Sequence, residues 1–327
     1  MACRRTCLKN HISPLERIHW LERLRQPLRY GENPHQQGAW YVPAEGEAWG
    51  LGTLQQRQGK ELSYNNLLDL DAAWRCLLDF TQPTCVIIKH QSLCGVASAA
   101  SVHEAYERAL ACDSESAFGG IVGLNKVLDH ALAGRLSETF LEVIFAPSME
   151  PEAVARLAKK PNLRLMTLQW PTTMPTSKEW RHVSGSWLLQ DPDSNLLDEQ
   201  TLNTVTKRAP TTAERTDLLF AWKAAKHAKS NGIVLAKDQA TVGIGQGQPS
   251  RVGSVRLAVQ KAGQRSRLSV SASDGFFPFR DNVEVLAQAG VTAIIQPGGS
   301  VKDAEVIAAA DHANLAMVMT GIRHFRH

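Results

Sequence analysis

Two spacings of apolar residues alternate along the chain, and each predicts a different element. Leu67, Leu68, Leu70, Trp74, Leu77 and Leu78 recur at helical spacing behind Ser63-Tyr64-Asn65-Asn66, which predicts an amphipathic helix with a polar start. Cys85-Val86-Ile87-Ile88 is a continuous apolar run, the mark of a buried strand. It delivers Lys89 and His90 to its end before a small-residue turn, Gln91 to Gly95. A helix over residues 103–111 follows, then the paired glycines Gly119-Gly120 ahead of an apolar strand, Ile121 to Leu124. A helix near 129–140, a strand at 142–147, a helix at 152–159 and a strand at 163–168 continue the alternation. Such alternation predicts an α/β layered fold.

The pattern loosens from Trp170 to Gln200, where Pro171, Pro175 and Pro192 interrupt it, and a subdomain boundary is expected there. Beyond it the capping box Thr211-x-x-Glu214 opens a helix through Phe220, Trp222 and Ala225, followed by a strand at 233–236 and a turn at Asp238. The second half then echoes the first. Ala111-Cys112-Asp113-Ser114 with Phe118-Gly119 matches Ala272-Ser273-Asp274-Gly275 with Phe276-Phe277, and Val143 to Ser148 matches Ala293 to Gly298. An offset of about 150 residues each time reads as internal duplication of one αβ unit. The expected organisation is a lead-in segment, 1–27, followed by two units, 28–195 and 196–327.

The 327 residues are 43% hydrophobic and 21% charged, an ordinary soluble globular composition. The net charge of +4 comes without a basic run, so nucleic acid is not an expected partner. No apolar stretch approaches the ~20 residues needed to cross a bilayer, so no membrane association is expected. Cys3, Cys7, Cys76, Cys85, Cys94 and Cys112 form no Cys-x-x-Cys pair and no zinc spacing, so reduced thiols in a cytoplasmic protein are expected, with no metal site. Met1-Ala2-Cys3-Arg4-Arg5 lacks the apolar core of a signal peptide.

A buried strand ending in Lys89-His90 sets a cation and a proton-transfer group where α/β sheets bind ligands, although a solvated strand end is the plainer alternative. Gly243-x-Gly245-x-Gly247 departs from Gly-x-Gly-x-x-Gly, so it reads as a flexible loop presenting Gln248, Ser250 and Arg251 to an anion. Pro297-Gly298-Gly299-Ser300 precedes a helix and offers its amides to an anion or carbonyl, while Ser300-x-x-Asp303 also fits a capping box. The stretch from Asp274 to Asn282 sets Phe276, Phe277 and Phe279 among polar groups. That makes an apolar wall for a flat heterocycle, although such residues also fill cores. Arg323-His324-Phe325-Arg326-His327 follows the strand-like Ala316 to Met319 and is expected to be pinned at the sheet edge rather than frayed.

Together with Leu28-Arg29-Tyr30-Gly31-Glu32-Asn33-Pro34-His35-Gln36, Ser116-Ala117-Phe118-Gly119-Gly120 and Lys229-Ser230-Asn231, these motifs resemble the formyltransferase part of the bifunctional purine-biosynthesis proteins. The resemblance runs from about residue 28 to the end. It implies a tandem of cytidine-deaminase-like three-layer αβα units with mixed sheets, and a homodimer whose sites lie at the subunit interface. It implies transfer of the formyl group of 10-formyltetrahydrofolate to the 5-amino group of AICAR (5-aminoimidazole-4-carboxamide ribonucleotide), giving FAICAR in IMP biosynthesis. His90 is then the general base, and Lys89 stabilises the formyl oxygen or protonates the departing folate nitrogen. By the same resemblance Arg29, Tyr30, Gly119, Glu142, Asn231, Arg251, Phe276 and Arg323 line the AICAR site, and Val252, Asp281, Gly299 and Ser300 face the folate. No metal chemistry is implied, and stimulation by a monovalent cation, K+, stays open. Because so few residues precede the Arg29-Tyr30-Gly31 loop, the IMP cyclohydrolase domain of the relatives is expected to be absent and that step to fall to a separate protein.

Two departures from the resemblance bear on the site. Ser92-Leu93 stand where many relatives carry Asn-Pro, beside the turn that aims His90, and Ser114-Glu115 replace a proline and a small or apolar residue; neither removes a proposed catalytic group, so activity is expected to survive. Two alternatives therefore stay open. One is a formyltransferase for a different aminoimidazole-type acceptor. The other is a non-catalytic nucleotide-binding paralogue, against which the retention of Lys89, His90 and Arg323 weighs.

Overall fold

The computed structural model describes residues 21–171, 177–194, 197 and 202–327. A hairpin of β1 (Glu22–Leu28) and β2 (Gly38–Pro43) comes first, then β3 (Gln55–Gln58). The first half continues with α1 (Tyr64–Leu78), β4 (Thr84–Lys89), β5 (Ser92–Ser98), α2 (Val102–Leu110) and the one-turn α3 (Ser114–Ala117). It closes with β6 (Ile121–Leu124), α4 (His130–Leu136), β7 (Val143–Ala146), α5 (Pro151–Leu157) and β8 (Arg164–Thr167). A second hairpin, β9 (Glu179–Val183) with β10 (Ser186–Gln190), and the short β11 (Asn203–Thr204) lie between the halves. The second half is α6 (Thr212–His227), β12 (Ile233–Lys237), β13 (Ala240–Gly245), α7 (Arg251–Ala262), β14 (Val270–Ser273), α8 (Asp281–Gln288), β15 (Ala293–Gln296), α9 (Asp303–His312) and β16 (Ala316–Met319).

Twelve of these strands form one mixed sheet, ordered β11-β16-β15-β14-β12-β13-β5-β4-β6-β7-β8-β3. In each half a hairpin pairs antiparallel with the first of three parallel strands, and an antiparallel edge strand finishes the row. The order therefore reads the same from either end. Side chains alternate across the sheet as strand geometry demands, Val86 and Ile88 to one face, Cys85 and Ile87 to the other. The first face is covered by α1 and α6 over a core common to both halves. The other carries α2, α4 and α5 over the first half and α7, α8 and α9 over the second, in two separate cores.

The halves meet at β5 and β13, which share a single antiparallel residue pair, Ala240 with Ala97. Side chains complete the seam. Thr241 Oγ1 accepts from Val96 N at 2.9 Å and donates to its carbonyl at 3.1 Å, and the Gln246 amide donates to Leu93 O at 2.9 Å. The covering helices ride directly on these two strands. A Cβ on Gly95 would lie 2.0 Å from Ala109 O, and one on Gly245 would lie 1.9 Å from Ser254 O.

The helices with caps form where the sequence predicts them. The capping boxes Ser63/Asn66 and Thr211/Glu214 start α1 and α6. Three expectations need correction. Gln91 to Gly95 is not a turn, because Ser92 onward is β5, and Leu93 of the Ser92-Leu93 departure is a buried strand residue. Gly243 and Gly245 belong to buried β13, so that stretch is a strand on which a helix sits, and only Gly247 turns. The loose region 170–200 contains the β9–β10 hairpin. The boundary drawn after Asn195, most of the lead-in segment, and Cys3 and Cys7 lie outside the described residues. The four cysteines among the described residues are unpaired and buried.

Between α1 and α6 a buried polar cluster fastens the C-terminal tail. Asp79, which follows α1, accepts from His227 Nε2 at 2.6 Å and pairs with Lys226 at 3.1 Å, and Arg326 Nη1 lies 3.4 Å from His227 Nδ1. Burial pushes the Asp79 carboxyl up, but hydrogen bonds and charge from His227 and Lys226 outweigh it and hold its pKa at about 2. Burial pushes His227 down, against the pull of Asp79. A neutral imidazole fits its partners, with Nε2–H donating to Asp79 and Nδ1 accepting from Arg326.

Gly245→Ala should cost about 3 kcal/mol in urea unfolding, because the methyl group meets helix backbone that cannot rotate away. Wild-type stability would show the seam to be looser than this packing. A second prediction follows from His227. Its folded-state pKa lies below the ordinary 6.5, so the unfolded chain takes the proton first and stability falls as pH drops below 6.5. Asp79 stays ionised to about pH 2 and contributes the same stability throughout that window. Between pH 7 and 5 the wild type should therefore lose more stability than His227→Gln, and equal losses would contradict a neutral imidazole.

Candidate active site

The antiparallel seam decides which residues share an edge. Ile88, near the end of β4, pairs with Ile121 at the start of β6, and β7 and β8 run parallel to β6. Lys89, Gly119 and Glu142 therefore lie along one edge of the sheet. In the second half the same edge receives the ends of β13, β14, β15 and β16, because Ile233 pairs with both Gly245 and Ser273. The loops carrying Arg251, Phe276, Gly299, Ser300 and Arg323 leave from it.

At the middle of this edge β4 and β5 are joined by His90 and Gln91 alone. Both have positive φ, 53° and 58°, the requirement of a tight hairpin turn that usually selects asparagine and glycine. The carboxylate of Asp69 on α1 supplies what those residues lack, accepting from His90 N at 3.0 Å and Gln91 N at 2.7 Å. Burial, the largest influence, pushes the Asp69 carboxyl up from the ordinary range, against the two amides and the charges of His90 and Lys229. His90 is exposed and Lys89 half-buried, and Lys89 Nζ donates to Phe118 O at 2.6 Å. That bond fixes the ammonium beside Gly119, whose φ of 74° needs glycine. Glu142 is held by the buried Arg164 guanidinium at 2.7 Å, which also donates twice to Glu61 O.

Across the seam Arg251 is buried with its guanidinium inside the protein. Nη1 donates to Ser273 Oγ at 2.9 Å and pairs with Asp274, while Nη2 donates to Asn231 Oδ1 at 2.8 Å. Its expected contact with a substrate anion falls to the donors these bonds leave over. Gly275 allows Arg251 and Phe325 to approach, since a Cβ there would lie 2.6 Å from each. The tail is pinned, as its sequence predicts. His324 N donates to Asp274 O at 3.0 Å, Ser230 N donates to Arg326 O at 2.9 Å, and His324 Nδ1 lies 2.6 Å from Asp193. Arg323 stays exposed and stacks on Phe325 at 4.2 Å. Lys229, Asn231, Gln248, Phe325, Arg326 and His327 line a cleft of about 400 Å³.

Of the phenylalanines at 276–279, Phe277 is fully buried, while Phe276 and Phe279 are 41% and 56% exposed, so wall and core are both present. Val252 and Asp281 lie half-buried in the first turns of α7 and α8. Gly299 N and Ser300 N both donate to the Asp303 carboxylate, at 2.7 and 3.2 Å. Those amides are thus filled from within, and Lys302, not Ser300, is the residue before α9. Arg29 is exposed and Tyr30 half-buried, and their loop is tied to the start of α1 by Asn65 Nδ2 donating to Glu32 O at 3.1 Å. Six strands separate β7 from β15, on the order of 30 Å, so Glu142 and Gly299 do not meet within one chain. Asp69 completes the edge without having been singled out, whereas Asp274 and Arg326 belong to stretches that were. For Asp69 the signal lay in Asp217, which holds the matching place in α6.

Residues 6–261 match the AICARFT/IMPCHase bienzyme family. The bifunctional purine biosynthesis protein PurH of Cereibacter sphaeroides is 52% identical over 318 residues, covering 93% of this chain and 60% of the relative. PurH of Roseobacter denitrificans is 52% identical over 320 residues, and that of Acaryochloris marina 50% over 307. The chain thus spans about 60% of the length of these relatives. Among solved structures, Acinetobacter baumannii RibD aligns over 33% of this chain and 34% of its own at 14% identity and a TM-score of 0.24, a likeness too slight to bear on the fold. With the family matched over most of its length, the chain belongs to the AICARFT/IMPCHase bienzyme family.

Proposed function

We propose that this edge transfers the formyl group of 10-formyltetrahydrofolate to the 5-amino group of AICAR, releasing FAICAR and tetrahydrofolate in IMP biosynthesis. The observation that carries the proposal is the exposed His90 on a fixed turn beside the tethered Lys89, in a chain of this family. The AICAR amine is conjugated with its ring and carboxamide, so its lone pair attacks poorly unless a proton leaves as the C–N bond forms. His90 takes that proton. Lys89 has three donors and one is used by Phe118 O, which leaves two for the developing oxyanion or for the folate nitrogen as it departs. Asn231, Arg251, Phe276 and Arg323, with Arg29, Tyr30, Gly119 and Glu142, hold the nucleotide, and Val252, Asp281, Gly299 and Ser300 the folate.

Several finer readings belong to the same proposal. The two halves, 28–195 and 196–327, are copies of one cytidine-deaminase-like unit, a reading supported by the palindromic strand order. The active form is a homodimer, supported by the distance along the edge that separates Glu142 from Gly299. The setting is cytoplasmic, and among the described residues no helix is long and apolar enough to cross a membrane. K+ stimulates turnover at this edge, which carries formyl transfer and not the ring closure of FAICAR. Leu93 lies in the core and leaves the His90–Gln91 turn intact, which gives no support to a different acceptor.

The test follows the folate spectrophotometrically as it loses its formyl group to AICAR. Wild-type protein should turn over, and His90→Ala should lose roughly 10²–10⁴-fold in kcat with AICAR binding preserved. Full turnover in His90→Ala would remove the histidine from the chemistry.

A further inference from the structure

We propose that Asp69 is a positioning residue for His90, aiming the imidazole by clamping the two backbone amides of its turn. The inference rests on the reading of His90 as the general base. Histidine and glutamine both carry a Cβ and resist positive φ, so a two-residue His-Gln turn does not form well on its own. The bidentate contact of Asp69 satisfies both amides in that geometry, at 3.0 Å to His90 N and 2.7 Å to Gln91 N. A bulge between Ile87 and Ile88, just before the turn, already shifts the register, so the direction of residue 90 depends on how the reversal closes.

The second half repeats the device without the histidine. Asp217 on α6 accepts from Asp238 N at 2.8 Å and Gln239 N at 2.7 Å, with φ of 52° and 58°, and a bulge falls between Leu235 and Ala236. That turn stands at the opposite edge of the sheet, beside Ser98 rather than Ser92. It serves as an internal control, since a clamp with only a structural role has the same value in both places.

The experiment compares Asp69→Asn with Asp217→Asn for urea stability, kcat and both KM values. Similar losses of stability are expected. Asp69→Asn should lower kcat at least about tenfold with KM changed by less than about twofold, while Asp217→Asn keeps its kcat. In the His90→Ala background Asp69→Asn should lower kcat no further, because it acts through that histidine. If Asp69→Asn yields too little folded protein, Asp69→Asn with Gln91→Gly, compared with Gln91→Gly alone, asks the same question, since glycine takes positive φ unaided. Equal kcat in the two asparagine variants, or losses that add to that of His90→Ala, would overturn the positioning role while formyl transfer stands. A wild-type chain that transfers no formyl group would overturn the functional reading and the positioning role with it.

Discussion

The antiparallel contact of β5 with β13 is the constraint on which the rest of the molecule depends. One ladder pair and a few side-chain bonds hold it, yet its direction sets the whole edge. Because the halves run oppositely, the starts of β6, β7 and β8 come to the same side as the ends of β14, β15 and β16. A parallel join would have separated Lys89 from Asn231 and Arg251. The close approach of α2 and α7 through Gly95 and Gly245 locks the two strands against their helices, so the seam has little freedom to change register.

Next to the seam the protein buries charge where a ligand edge would be expected to expose it. Arg251 and Asp274 are almost fully enclosed, and Ser230, Ser273 and Asn231 each take a further hydrogen bond of the pair. Taking such a pair out of water costs several kcal/mol per ion, and the attraction offsets it only when every partner is in place. The cluster therefore fixes the backbone of the 230–231 loop and, through the Asp274 carbonyl, the C-terminal tail. Asp79, Lys226 and His227 do the same from beneath, through Arg326. A terminal segment that would ordinarily fray is held at two depths, which is what lets Arg323 and Phe325 stand at fixed places.

Much of this was legible in the chain. Capped helices with regular apolar spacing and the β4 run ending in Lys89-His90 follow from local pattern, whereas the tail was expected at the edge from the strand it follows, and its partners Ser230, Asp274 and His227 lie far off in sequence. Glycine misled where it answers to backbone packed on it. Gly243 and Gly245 resemble a loop until α7, the next helix in the chain, is seen lying on them. Gly299 and Ser300 offered an open anion cradle or a capping box with Asp303, and Asp303 fills their amides as the second reading has it. Asp69 was passed over because a polar helix position reads as solvent-facing until the hairpin it clamps is placed beneath it, and only its match with Asp217 marks it.

The same clamp holds a turn in each half. A two-residue reversal with no glycine persists in both halves because an aspartate one helix away stabilises it, whatever side chain occupies its first position. In the second half that position is Asp238, whose carbonyl is bonded by Arg108. In the first half the same geometry faces the edge where Asn231, Arg251 and the tail converge. A histidine there is exposed enough to meet a substrate, while its backbone is as constrained as a core residue's. The base role proposed for His90 needs both properties, and the clamped turn supplies the second to whatever residue holds its first position.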